Sequence, residues 1–149
     1  MVATTQNRNT PSVSGHRRGH PVAANALCRA GTIAVVDATG FVKEAVTGLG
    51  LTAVGIFEHL VDNRIGADGE EKAQVLRGFA RLENSADADE ITAADMFKRC
   101  YIVDNQTVAK TDGGGTRSIA GIVDSVDEVG VWVLIDPTSG AALDALATE

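Results

Sequence analysis

The chain has 149 residues, 44% hydrophobic and 22% charged, with a net charge of −7; this fits a single folded domain with a buried core and excludes a disordered, collagenous or disulfide-dense chain. No run approaches the roughly 18 consecutive apolar residues of a spanning helix, so no membrane partner is expected. A pI near 4.9, with no basic stripe carrying interleaved aromatics, speaks against nucleic acid as a partner.

Residues 1–21 contain Asn, Thr, Ser, Gly and two prolines without apolar periodicity, and read as an irregular, extended arm. They hold no apolar h-region, so no secretion signal is expected. Arg8, Arg17, Arg18 and Arg29 all precede the first acid, Asp37, which leaves nine of the 13 basic residues against all 20 acids in the remainder. This basic arm on an acidic body has two readings: a segment that lies on an acidic partner surface, carried by Arg8, Arg17 and Arg18, or a solvated terminus.

Residues 22–30 (VAANALCRA) read as a helical turn or an extended lead-in. From residue 31 the texture changes to short β-rich runs broken by turns. Residues 32–37 (TIAVVD), 41–45 (FVKEA) and 53–60 (AVGIFEHL) predict strands, with 61–63 closing the third. Residues 72–82 (KAQVLRGFARL) predict one alternating strand, with Gly78 marking a bulge or bend. Residues 84–90 form an acidic loop, and Thr92-Ala93-Ala94-Asp95 has the form of a capping box that starts one helical turn. Apolar residues 100–103, then 107–111, 118–126 and 130–135, supply the remaining strands, with a hairpin turn at 127–130. The tail at 138–148 predicts a short helix with Ser139 as N-cap and Leu143 and Leu146 on one face. Seven or eight short strands with regular turn signals predict an all-β, compact barrel or jelly-roll-like sandwich. The expected organisation is an arm at 1–21, a β domain at 22–136 and a tail at 137–149.

Chemistry-bearing constellations are scarce. Hydrolase chemistry needs a nucleophile, a base and an orienting acid. The three histidines are His16 and His20 in the arm and His59 in an apolar strand, and there is no G-x-S-x-G elbow. His16 and His20 have helical metal spacing, but Gly15, Gly19 and Pro21 oppose a helix and no further ligand lies near. Asp124, Asp127 and Glu128 lack the calcium-loop pattern and read as a hairpin tip. Residues 113–118 (GGGTRS) lack the lysine of a phosphate loop and lie between strands; Arg117 beside them is a candidate contact between subunits. Cys28 and Cys100 have no metal or redox spacing and read as buried thiols, with a disulfide as the alternative. Trp132, Phe41 and Phe79 are candidates for the core or for an oligomer interface. No enzymatic activity, cofactor or metal is expected.

Residues 101–109 (YIVDNQTVA), 116–123 (TRSIAGIV) and 130–135 (GVWVLI) resemble, in order and spacing, strands of the capsid cement, or head decoration, proteins of tailed bacteriophages. Residues 30–35 and 54–58 fit the same pattern, so the resemblance covers about 21–135. It implies a virion structural protein on the outer surface of an icosahedral head. There it would clamp neighbouring major capsid protein subunits as a homotrimer, or alternatively a homodimer. A tail or baseplate β-module and a small β-barrel ligand-binding protein are the competing expectations. The longer basic arm and the C-terminal tail depart from the family pattern.

Overall fold

The computed structural model describes residues 2–140 and is all β. Its strands are β1 (Arg17–Pro21), β2 (Ala26–Cys28), β3 (Ile33–Val36), β4 (Val42–Glu44), β5 (Thr52–Phe57) and β6 (Val61–Asn63), followed by β7 (Lys72–Leu76), β8 (Gly78–Asn84), β9 (Arg99–Ile102), β10 (Thr107–Ala109), β11 (Ile119–Val126) and β12 (Val131–Ile135). They form a five-stranded antiparallel sheet in the order β1-β7-β5-β3-β4, a closed barrel in the order β10-β8-β12-β11-β9, and a two-stranded sheet of β2 and β6. Within the barrel, β10 and β8 are the parallel pair.

The apolar runs of β3 and β5 are explained by their place between two cores. Ile33, Val35 and Ala53 join Leu82, Ile102, Val108, Val123, Val131 and Val133 in the barrel core. Their neighbours Ala34, Val54 and Phe57 face a second core with Val22, Cys28, Val42, Ala73 and Val75. Successive strand residues point to opposite faces, so a strand buried on both faces reads as an unbroken apolar run. Phe57 is the aromatic that fills this core, 1% exposed, and its burial contributes about 1.5–3 kcal/mol.

The expected strands form, but the described residues hold twelve rather than seven or eight. The run expected as one strand at 72–82 is two. At Gly78, with φ +119, the chain leaves the sheet as β7 and enters the barrel as β8, a conformation open to glycine. Residues 61–63, expected to close β5, pair instead with β2, which lies in the segment 22–30 expected as a helical turn or an extended lead-in. Residues 17–21, expected as irregular arm, form edge strand β1 in register with β7, from Arg17 opposite Leu76 to Pro21 opposite Lys72. An edge position asks for main-chain pairing and not for apolar alternation, and it tolerates proline. The next residue, Val22, is fully buried and seals the second core.

Two loop devices follow the sequence reading. The capping box at Thr92 is complete: its hydroxyl accepts from the Ala94 amide at 3.3 Å, and the Asp95 carboxylate accepts from the Thr92 amide at 2.8 Å. The turn between β11 and β12 is held by Asp127 Oδ1, which accepts from the Val129 and Gly130 amides at 2.8 and 3.0 Å. Of the helix expected in the tail, Ser139 alone is described among the named positions, and its hydroxyl donates to Asp136 O at 2.8 Å; Leu143 and Leu146 lie outside the described residues.

Candidate interaction surfaces

The three arm arginines are placed differently. Residues 2–16 are exposed and outside any strand, and Arg8 among them donates to the Thr10 hydroxyl at 2.6 Å. Arg17 lies on β1 and forks onto Glu58, donating from Nη2 to Oε1 at 2.7 Å and from Nε to Oε2. The Arg17 guanidinium holds the Glu58 carboxyl below its ordinary range. Arg18 donates to the main-chain oxygens of Gly15 and Arg17 at 3.0 and 2.8 Å. Arg17 and Arg18 therefore belong to the body's edge, and Arg8 to the exposed stretch.

Arg117 is engaged within its own chain. Its Nη1 donates to Asp89 Oδ2 at 3.2 Å and to Thr111 O at 3.1 Å, and its side chain is 17% exposed. Gly113, Gly114 and Gly115 are all at positive φ, and Gly113 passes close to this guanidinium, where a Cβ would fall 3.0 Å from Arg117 Nε. Within its own chain Arg117 thus staples the glycine loop to Asp89.

Phe79 and Trp132 stand together on the outer face of the barrel. Cross-strand register aligns Phe79 with Leu134 and Ile122, and Arg81 with Trp132 and Ser125. The Arg81 guanidinium lies 5.9 Å from the Trp132 ring centroid, within cation–π range. Trp132 Nε1 donates to Asp127 Oδ2 at 3.2 Å. Phe79 is 61% exposed and Trp132 partly buried, so neither is a core residue. Phe41 sits apart, half-buried before β4 against Gly69.

A second surface was not expected. Phe97, Lys98, Arg99, Tyr101, Lys110, Ile122 and Ser139 line a shallow, solvent-open groove of about 570 Å³. Its base is fixed by main-chain bonds: the Phe97 amide donates to Val123 O at 2.7 Å, the Val123 amide to Lys98 O at 2.9 Å, and the Lys110 amide to Asp89 O at 3.0 Å. The signal in the sequence is the run Phe97-Lys98-Arg99-Cys100-Tyr101, two cations flanked by aromatics. Lys110, the residue after β10, is brought there through the β9–β10 pairing.

His16 and His59 are exposed. His20, on β1, has a buried Nε2 without a partner, and burial together with the nearby Arg77 and Arg18 charges lowers its pKa. Among the described residues, no group of three or more His, Cys, Asp or Glu is arranged to hold a metal ion. Cys28 and Cys100 are free thiols buried in different cores, so the disulfide alternative does not hold. Compared with protein-family models, with curated proteins and with solved structures, the chain matches none.

Proposed function

We propose that the chain is a virion structural protein, a capsid cement protein that binds the outer surface of an icosahedral phage head and clamps neighbouring major capsid protein subunits. The observation that carries this reading is an exposed N-terminal stretch, residues 2–16, joined directly to an edge strand of a two-core β body. A clamp requires that combination: a rigid body to occupy one position and an extended segment to reach the next subunit. Fifteen extended residues span up to about 50 Å. The resemblance over residues 21–135 supplies the assignment to a phage head, and no enzymatic role is part of it.

In this reading the protein acts as a homotrimer, with a homodimer as the alternative, and several arms per oligomer raise the effective concentration of each contact. The Phe79, Arg81 and Trp132 face suits a contact between copies. Arg8 is the arm arginine offered to an acidic capsid surface. A lumen-binding β-barrel is disfavoured because Leu82, Ile102, Val108, Val123, Val131 and Val133 fill the barrel interior.

The test is to add purified protein to expanded heads that lack it, pellet the heads and image them. Saturable binding in a regular array on the outer surface is expected, and Arg8→Gln lowers occupancy and flattens its salt dependence. Failure to bind properly expanded heads would overturn the proposal and bring a tail or baseplate role forward.

A further inference from the structure

Strand β1 is an edge of the five-stranded sheet, paired with β7 on one side, and edge elements of this kind open locally without global unfolding. Successive residues of the strand point to opposite faces of the sheet. Arg18 stands opposite Val75 and His20 opposite Ala73, and both partners are buried in the second core with Val22. His20 therefore lies between Arg18 and Val22 at the margin of that core, and its Nε2 is buried without a hydrogen-bond partner. A neutral imidazole tolerates this position: with its proton on Nδ1, Nε2 is a bare acceptor. An imidazolium does not, because both ring nitrogens then carry protons and the buried one meets no acceptor.

The neighbouring charges oppose protonation further. Burial first, then Arg77 from the link between β7 and β8, then Arg18 on β1 itself, lower the pKa of His20. The acids around β1 are engaged elsewhere or exposed. Asp136, after β12, acts on Arg77 and His16 and accepts from the Thr138 amide at 2.9 Å. Asp68, in the loop beside Pro21, accepts from the Ala24 amide at 2.7 Å. Glu71, past the end of β7, is exposed, and Glu58 holds Arg17 on the opposite face. Within the second core, the Cys28 thiol stays neutral, pushed up to about 11.

We propose that His20 is a proton-operated latch on β1: its protonation releases residues 17–21 from β7 and lengthens the free N-terminal segment from residues 2–16 to residues 2–21. Peeling stops at Val22, which is fully buried and whose amide donates to Glu71 O at 2.9 Å. The greatest reach of the free segment grows from about 50 Å to about 70 Å. The docked strand favours the neutral imidazole, so the latch is shut above the ordinary histidine value of 6.5 and opens as pH falls through the lower value of the docked strand. This inference rests on the fold and is independent of the capsid reading.

The test is an NMR titration of the full chain from about pH 7.5 to about pH 5, where histidines are the side chains that change charge. His16 and His59 are exposed. The amide signals of Arg18 and His20 are expected to leave their strand positions, while those of Val54 in the sheet and Val133 in the barrel stay. His20→Phe and His20→Gln, which do not titrate, should keep β1 docked throughout, and His16→Asn with His59→Asn should leave the transition in place. Signals of β1 unmoved at the acid end, a transition that survives in either His20 variant, or loss of signals from every strand together would overturn the proposal.

Discussion

Gly121→Ala tests how closely the barrel is packed. Gly121 lies on β11 opposite Cys100, beside an irregularity in the β11–β9 register. A Cβ at this position would fall 2.2 Å from Leu134 O and 2.9 Å from Val133 Cγ1. Relief requires β11 and β12 to separate by roughly 1 Å, since non-bonded carbon contacts lie near 3.5–4 Å. β11 is bonded to β12 on one side and to β9 on the other, so a movement away from one strand presses on the second. Overpacking of this kind costs about 1–3 kcal/mol, and a main-chain obstacle places it at the upper end, about 3 kcal/mol. Against a total stability of about 5–15 kcal/mol, the expected fall in Tm is about 6–12 °C for a chain of this size. Gly48→Ala is the control: its Cβ would lie 3.8 Å from Leu51 Cδ1, in ordinary contact, and a stabilisation of about 0.4–1 kcal/mol is expected through the unfolded chain. Thermal and urea unfolding of both variants measure the contrast. If Gly121→Ala melts within about 2 °C of the parent, the close approach of β11 to β12 is not as described and the reasoning fails.

Thr92→Ala removes the hydroxyl that accepts from Ala94 and should cost about 1 kcal/mol in urea unfolding, with Thr92→Ser restoring it; equal stability of both variants would refute the role of the cap. Burial pushes the Cys28 thiol up to about 11 and the Cys100 thiol up to about 12. Neither should react with a thiol reagent in the folded protein near neutral pH, and both should react in denaturant. The Thr39 hydroxyl and amide, with Lys43, hold Asp37 at about 2, and Arg64 holds Asp62 at about 2. Both values lie below the ordinary 3.8, so their stabilisation is complete above about pH 4 and is lost as pH falls toward about 2. Melting curves of the parent and of Asp37→Asn with Asp62→Asn should therefore converge on acidification, and curves that stay parallel would contradict this assignment.

The strands most legible in the sequence are those whose side chains carry the fold. β3, β5, β11 and β12 announce themselves through β-branched runs, and the turn between the last two through Asp127 and Gly130. Strands β1, β2 and β6 are short and partly polar. Main-chain pairing with a partner distant in sequence defines them, as when Arg17–Pro21 meets Lys72–Leu76, and no local pattern encodes that partner. The split at Gly78 was visible as a glycine in a strand, but a bulge and a change of sheet share that signal. The sites divide in the same way. Phe79 and Trp132 were visible as unusual residues in strands, and their shared outer face follows once the β8–β12 register is known. The intrachain partners of Arg117, Asp89 and Thr111, become its neighbours only through the fold. The groove is half legible in residues 97–101, and its third cation, Lys110, follows another strand, β10.

The junction of arm and body has a mechanical meaning. Residues 2–16 run straight into β1, whose five residues pair along β7, and the Arg77 amide extends the ladder by donating to His16 O at 2.8 Å. Behind β1, Val22 is plugged into the second core. A pull on the arm directed along the strand therefore loads this ladder in shear, with its rungs sharing the force, instead of peeling them one at a time. The weak direction is perpendicular to the sheet edge, where the Arg17–Glu58 fork takes the strain first. The hold of the body on residues 2–16 is thus limited by the angle of the pull as well as by its strength.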